Sequence, residues 1–360
     1  MAHTHGTCDE RFEAVRDALG ASLDGRDVGA SVAVFLDGEP VVDLWGGYAD
    51  AERTRPWERD TITCVWSTTK TMTALCALVL ADRGVLDLDA PVAAYWPEFA
   101  AAGKEKVLVR HVLGHTSGLP VWRAPLRTED LYDWPKLTSL LAAQPPDSAP
   151  GTVAGYHAVT QGYLIGEVVR RITGRTLGRF FAEEIAGPLG ADFHIGLPPE
   201  HDHRVAPVIP PQTRAPEIVA RGPGNPPIPA EIAATEAWRR AEIPSGNGFG
   251  NARSVAAVQS VLSDGGRGLL SAAGCERALE EQFLGEDEVL GTRMRYGMGY
   301  SIQGRSCSWG GWGGSIVLAD LGTRMTVAYV MNRMLEEGPL GDDRGLGMVM
   351  AAYEGLRNAA

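Results

Sequence analysis

The sequence predicts an α/β protein of the α+β kind, with one sheet assembled from both ends of the chain and a mostly helical part inserted between them. Three observations predict it. A β-branched run, residues 30–45 (ASVAVFLDGEPVVDLW), is split by Asp37-Gly38, a pair that favours a tight hairpin. Strand patterns return only late, in 296–302 (YGMGYSI), 315–319 (SIVLA) and 326–331 (TVAYVM). Between them, helical spacing dominates. The expected division is therefore a discontinuous sheet domain, 1–70 with 246–360, and a mostly helical region, 71–245.

The elements follow in order. Residues 10–24 place apolar side chains at helical intervals, so a first helix precedes the hairpin. A second runs from Thr71 to Arg83 and stops at Gly84. Helical runs at 136–143 and 159–173 are separated by proline-rich loops, and the stretch 201–229 holds many of the 23 prolines without periodicity. A loop of that length inside a folded protein is expected to be a lid or pocket wall, or else a surface excursion without a role. A helix from Asn251 leads back to strands, and a last helix, about 345–357, closes the chain.

A formal net charge of −12 with no basic cluster excludes nucleic acid or an anionic membrane surface as the main partner, since both would be repelled. The start, MAHTHGTCDE, is neither basic nor followed by an apolar run, and no apolar stretch approaches the roughly 20 residues of a spanning helix, so a cytoplasmic location is expected. The five cysteines are widely spaced and odd in number, which implies neither a disulfide framework nor a zinc site; Cys64 and Cys307 stand near motifs where a thiol could be sensitive. His201, Asp202 and His203 lack a third ligand at recognisable spacing, so no metal and no cofactor is expected.

Chemistry points to VWSTTKTMTAL, residues 65–75. Lysine occurs only at 70, 104, 106 and 136, and Lys70 follows Ser67 by three residues at the start of a helix, which puts amine and hydroxyl on one face. A serine hydroxyl needs a base to attack at neutral pH, and a lysine amine serves once burial and the positive helix end disfavour its ammonium form. Ser67 also offers its backbone N–H to a developing oxyanion. The bland alternative is a helix cap with an exposed lysine behind it. No G-x-S-x-G pentapeptide occurs; GHTSG, 114–118, has different spacing.

The order Ser67-x-x-Lys70, then Gly155-Tyr156-His157-Ala158, then Trp309-Gly310-Gly311 resembles the three motifs of the serine β-lactamase (class C) and penicillin-binding-protein family, as do HTSGLP (115–120) and GNGFGNAR (246–253). The resemblance spans nearly the whole chain. It implies an antiparallel sheet flanked by helices, a mostly helical region beside it, and the active site between. It also implies that Ser67 is the nucleophile, Lys70 and Tyr156 the general base and acid, and the backbone N–H groups of Ser67 and Trp312 the oxyanion donors. Two departures stand out. Ala158 replaces the asparagine of the second motif, and Trp309-Gly310-Gly311 replaces K-T-G, which removes the cation that meets the carboxylate of lactams and peptides. W-G-G is similar to the family VIII carboxylesterases, so the expected activity is serine carboxylesterase on a small-molecule ester. The alternatives are a β-lactamase or D-amino-acid peptidase, an acyltransferase of secondary metabolism, and a non-catalytic binding protein on the same fold. Trp309, Gly310, Gly311 and His157 are the expected substrate-binding residues, although neighbours on regular structure point apart, which also allows His157 a place behind the site.

Overall fold

The computed structural model describes residues 3–211, 224–335 and 342–357. Its organising feature is a nine-stranded antiparallel sheet whose first three strands come from the start of the chain and last six from its end. Strand β1 (Thr4–Cys8) pairs with β3 (Glu39–Gly47), and β3 with β2 (Gly29–Leu36). Asp37 and Gly38 turn that hairpin with φ of 51° and 78°, the left-handed backbone that a two-residue hairpin loop requires.

Two further short strands, β4 (Thr63–Cys64) and β5 (His194–Ile195), flank β6 (Gly248–Gly250) in a small separate sheet. That sheet brings together the serine-bearing segment, the inserted part and the GNGFGNAR segment. The late strands are β7 (Phe283–Asp287), β8 (Thr292–Tyr296), β9 (Ser301–Gln303), β10 (Ser306–Gly310), β11 (Ile316–Asp320) and β12 (Met325–Met331). They complete the order β1-β3-β2-β12-β11-β10-β9-β8-β7. The two halves of the chain join where β12 pairs with β2, from Met325 opposite Leu36 to Met331 opposite Ala30.

Alternation along these strands feeds two cores. Val32, Val34, Val327 and Tyr329 pack against the terminal helices Glu13–Leu23 and Asp343–Arg357. Ala33, Phe35, Ala328 and Val330 face the other way, toward the Ala252–Ser263 helix and the inserted helices. β12 is buried throughout because both its faces are covered.

Among the inserted helices, Thr69–Asp82 is enclosed on every side: all residues from Thr69 to Leu80 are buried. It carries the lysine of the first motif into the interior, which sets aside the alternative of a surface lysine. Within the proline-rich stretch, Pro199–Arg204 forms a 3₁₀ turn, and Asp202 there is engaged by Arg239 and Arg240. Residues 212–223 of that stretch lie outside the described residues. No helix among the described residues is long and apolar enough to cross a membrane.

Candidate active site

Ser67 lies in a single 3₁₀ turn, Trp66–Thr68, that leads into the buried helix. The residue before it, Trp66, has a φ of 48°, a left-handed backbone that costs a bulky side chain about 1–3 kcal/mol. Packing holds it there: the Trp66 ring lies 5.6 Å from Trp238 and 5.0 Å from Trp312. As a result Ser67 is the one residue between 61 and 80 that is not buried.

The helix then returns Lys70 to the same spot. Its Nζ stands 3.2 Å from Ser67 Oγ and donates to the carbonyls of Ala158 at 2.7 Å and Ser245 at 2.9 Å. The side chain is only 1% exposed, and burial without a neighbouring carboxylate contact holds its pKa well below that of an ordinary lysine. Tyr156 arrives from the segment ahead of the Thr160–Thr173 helix, and its hydroxyl donates to Ser67 Oγ at 2.8 Å. Burial pushes that phenol up to about 12, so it is protonated at neutral pH. Lys70 Nζ also sits 4.8 Å from the centre of the Tyr156 ring.

Ala158, where the family pattern has asparagine, takes part through its carbonyl; the departure removes a side-chain amide and leaves the acceptor for Lys70 in place. His157, expected among the substrate contacts, is placed elsewhere. It is fully buried, with Nε2 2.6 Å from Ser117 Oγ and Nδ1 2.5 Å from the Gly155 carbonyl, so both ring nitrogens are engaged away from Ser67. The neighbours point apart, as the backbone geometry requires. Burial pulls His157 down to about 4, so the ring is neutral.

Three supporting residues were not singled out from sequence. The carboxylate of Asp287, fully buried, accepts from the backbone N–H of Tyr156 at 3.1 Å and from the Tyr296 hydroxyl at 2.8 Å. His115, in the HTSGLP segment and at a φ of 59°, accepts from the His157 N–H at 3.1 Å and packs its ring 5.1 Å from Tyr156. Ser245, just ahead of GNGFGNAR, supplies a carbonyl to Lys70. The family motifs marked the neighbourhood of the last two, whereas nothing in the sequence around Asp287 pointed to Tyr156.

The third motif splits into two roles. Trp309 packs 5.5 Å from Tyr156, and it lines a cavity of about 160 Å³ with Ser67, Tyr156, Gly310 and Trp312. Leu290, Met294 and Ile316 complete most of the wall, and no lining residue carries a formal charge. Gly311, expected at the substrate, instead serves the backbone: its N–H donates to the Ser315 carbonyl at 2.7 Å and its carbonyl accepts from Gly314 N–H at 3.1 Å. A side chain there would collide with the loop that carries Ser67, since a Cβ would lie 2.1 Å from the Val65 carbonyl oxygen. Among the described residues, no acceptor is bonded to the N–H of Ser67 or of Trp312. Cys64 and Cys307 are buried thiols, and burial pushes Cys64 up to about 11 and Cys307 higher still, which leaves neither as a thiolate.

The Beta-lactamase family matches residues 12–348. The chain belongs to that family. It is 35% identical to the esterase/beta-lactamase LipL of Mycobacterium tuberculosis, over 99% of this chain and 88% of that protein. Among solved structures, a family VIII carboxylesterase is 43% identical, with a TM-score of 0.91 over 98% of this chain and all of the other. A penicillin-binding-protein homologue from Caulobacter crescentus is 37% identical, with the same TM-score and the same coverage. The protein is thus a serine hydrolase of the β-lactamase fold.

Proposed function

We propose that the protein is a carboxylesterase that hydrolyses small neutral esters through an acyl-enzyme on Ser67, with Lys70 and Tyr156 as general base and acid. The observation that carries this is the set of neighbours around Lys70 Nζ. Two are carbonyls, which only accept, and the third is the Ser67 hydroxyl. A neutral amine fits them by donating one N–H to each carbonyl and turning its lone pair to the Ser67 proton. Burial favours that neutral form.

In the first half-reaction Ser67 Oγ attacks the ester carbonyl as its proton passes to Lys70. The carbonyl electron pair moves to oxygen, where the N–H groups of Ser67 and Trp312 receive it. Collapse expels the alkoxide, which takes a proton from Tyr156, and Lys70 restores the phenol. In the second, water adds to the acyl carbon, giving up its proton to the same pair, and Ser67 leaves with the proton returned.

Esters are favoured over lactams by the wall of the cavity. With Trp309 in place of a lysine and no charged residue in the lining, nothing there receives a carboxylate. A volume of about 160 Å³ suits a short acyl chain or a single aromatic ring, since an apolar cavity of about 150 Å³ holds benzene. Intact mass spectrometry after a fluorophosphonate tests the nucleophile: one adduct is expected on the wild type and none on Ser67→Ala. Turnover of p-nitrophenyl butyrate should exceed that of nitrocefin. Comparable turnover of the two would sink the ester assignment, and an adduct that persists on Ser67→Ala would sink the nucleophile.

A further inference from the structure

The two N–H groups assigned to the oxyanion sit on segments far apart in sequence, 65–68 and 310–315, and their separation must be held for both to reach one oxygen. Ser315 joins them. Its hydroxyl is buried, donates to the Val65 carbonyl at 2.9 Å, and lies 2.9 Å from Thr68 Oγ1. Because the one Ser315 proton is committed to Val65, the Thr68 hydroxyl is the donor of the second bond. The chain Thr68 to Ser315 to Val65 therefore ties both sides of the Ser67 turn to the start of β11.

The same residue closes the other segment. The Ser315 carbonyl accepts from Gly311 N–H at 2.7 Å, while Gly314 N–H returns to the Gly311 carbonyl at 3.1 Å. Trp312 and Gly313 are then the two central residues of a turn, and the Gly313 φ of 94° is what the third position of a type II turn demands. The Trp312 N–H takes no part in the turn's own bond. On the far side Arg344, whose guanidinium is fully buried between Asp27 and Asp342, donates to the Gly313 carbonyl at 2.8 Å. The turn is thus tied to a buried cation at one end and, at the other, to the Ser67 turn through the Ser315 hydroxyl beside the contact of the Trp66 and Trp312 rings.

We infer that Ser315 is a positioning residue for the oxyanion: its hydroxyl clamps the Ser67 turn to the Trp312 turn and sets the spacing of their N–H groups. The inference rests on the esterase proposal above. Ser315→Ala removes the clamp and leaves Ser67, Lys70, Tyr156 and both N–H groups in the chain. A displacement near an ångström at reacting groups, or a lost oxyanion donor, costs about 100-fold, so kcat for p-nitrophenyl butyrate should fall about 10- to 100-fold. KM should stay within about twofold, because the ground-state ester makes weaker use of the oxyanion donors. An alkyl trifluoromethyl ketone, whose hemiketal with Ser67 carries an oxyanion, should lose affinity by the same factor as kcat/KM.

Thr68→Val cuts the same chain at its donor end and should give a smaller loss of the same kind. In the double variant the two losses should not add, and Thr68→Val alone carries the comparison if Ser315→Ala does not fold. A folded Ser315→Ala, or a folded Thr68→Val in its place, with wild-type kcat and wild-type ketone affinity would overturn the clamp, whatever its melting temperature. If the wild type itself forms no Ser67 adduct with a fluorophosphonate, the esterase proposal fails and takes the clamp with it. An adduct on the wild type with unimpaired variants removes the clamp alone.

Discussion

Gly311→Ala is the sharpest test of how closely the third motif must approach the nucleophile. A Cβ at 311 would stand 2.1 Å from the Val65 carbonyl oxygen and 2.3 Å from Ser315 Oγ, where an ordinary contact begins at 3.4 Å. The two loops must therefore separate by more than an ångström or distort, because the nearer obstacle, the Val65 carbonyl, is backbone that cannot swing aside as the Ser315 hydroxyl could. Overpacking of this kind destabilises by about 1–3 kcal/mol, and a shift of that size at reacting groups costs about 100-fold in rate. Gly310→Ala provides the comparison within the same motif, since a Cβ there meets only the Ser315 carbonyl oxygen, at 3.3 Å. Steady-state kinetics with p-nitrophenyl butyrate should show kcat reduced on the order of 100-fold in Gly311→Ala and far less in Gly310→Ala. Urea unfolding should show Gly311→Ala still folded. Equal losses in the two variants, or an unimpaired Gly311→Ala, would refute the argument from close approach.

The remaining outcomes concern protons. With the neutral Lys70 amine as the proposed base, kcat/KM should rise with pH through the depressed pKa of Lys70, and should fall only as Tyr156 ionises at about 12; an acid limb near the ordinary lysine value of about 10.4 would contradict this. Lys70→Ala should lower kcat by about 10²- to 10⁴-fold across that range, as loss of a general base does. Tyr156→Phe removes the hydroxyl that touches Ser67 and should also cost about 10²-fold or more in kcat, with little change in unfolding free energy. His157 governs acid stability: its folded pKa of about 4 lies below the ordinary 6.5, so the unfolded chain binds the proton more tightly. That contribution, about 3 kcal/mol, is fully present above pH 6.5 and is lost as pH falls through about 4. Urea titrations at stepped pH should show a shallower acid loss in His157→Gln, and identical slopes would count against it.

The parts of the structure legible in sequence are those with a local signal. The Asp37-Gly38 turn, the largely apolar β12 and the helical pattern from Thr71 to Arg83 each announce themselves within about a dozen residues. β1 does not, since THGTC at the sheet edge buries little and shows no alternation. β10 is equally quiet, its serines, cysteine and glycine reading as a motif more than as a strand. In the site, motif order drew attention to Ser67, Lys70 and Tyr156, which the fold gathers at Ser67 Oγ, with Lys70 Nζ at 3.2 Å and the Tyr156 hydroxyl at 2.8 Å. Asp287 and Ser315 escaped because each acts through a backbone group more than a hundred positions away, Tyr156 N–H in one case and the Val65 carbonyl in the other. No short-range pattern records such a contact.

The lysines show why burial alone does not define a base. Lys106 and Lys136 are exposed, but Lys104 is as completely buried as Lys70 and equally lacks a bonded carboxylate. Its Nζ donates to the carbonyls of Ala101 at 2.7 Å, Ala142 at 2.9 Å and Gln144. Three carbonyls need three N–H donors, and only the ammonium has them, so Lys104 is held as a cation closing the end of the Trp134–Ala143 helix. Burial pulls it down only to about 8, which leaves it charged at neutral pH. Around Lys70 one of the three carbonyls is replaced by a hydroxyl that can itself donate. In the mechanism proposed above that exchange turns the Lys70 lone pair to the Ser67 proton, and it separates a buried lysine that caps a helix from one placed to start a reaction.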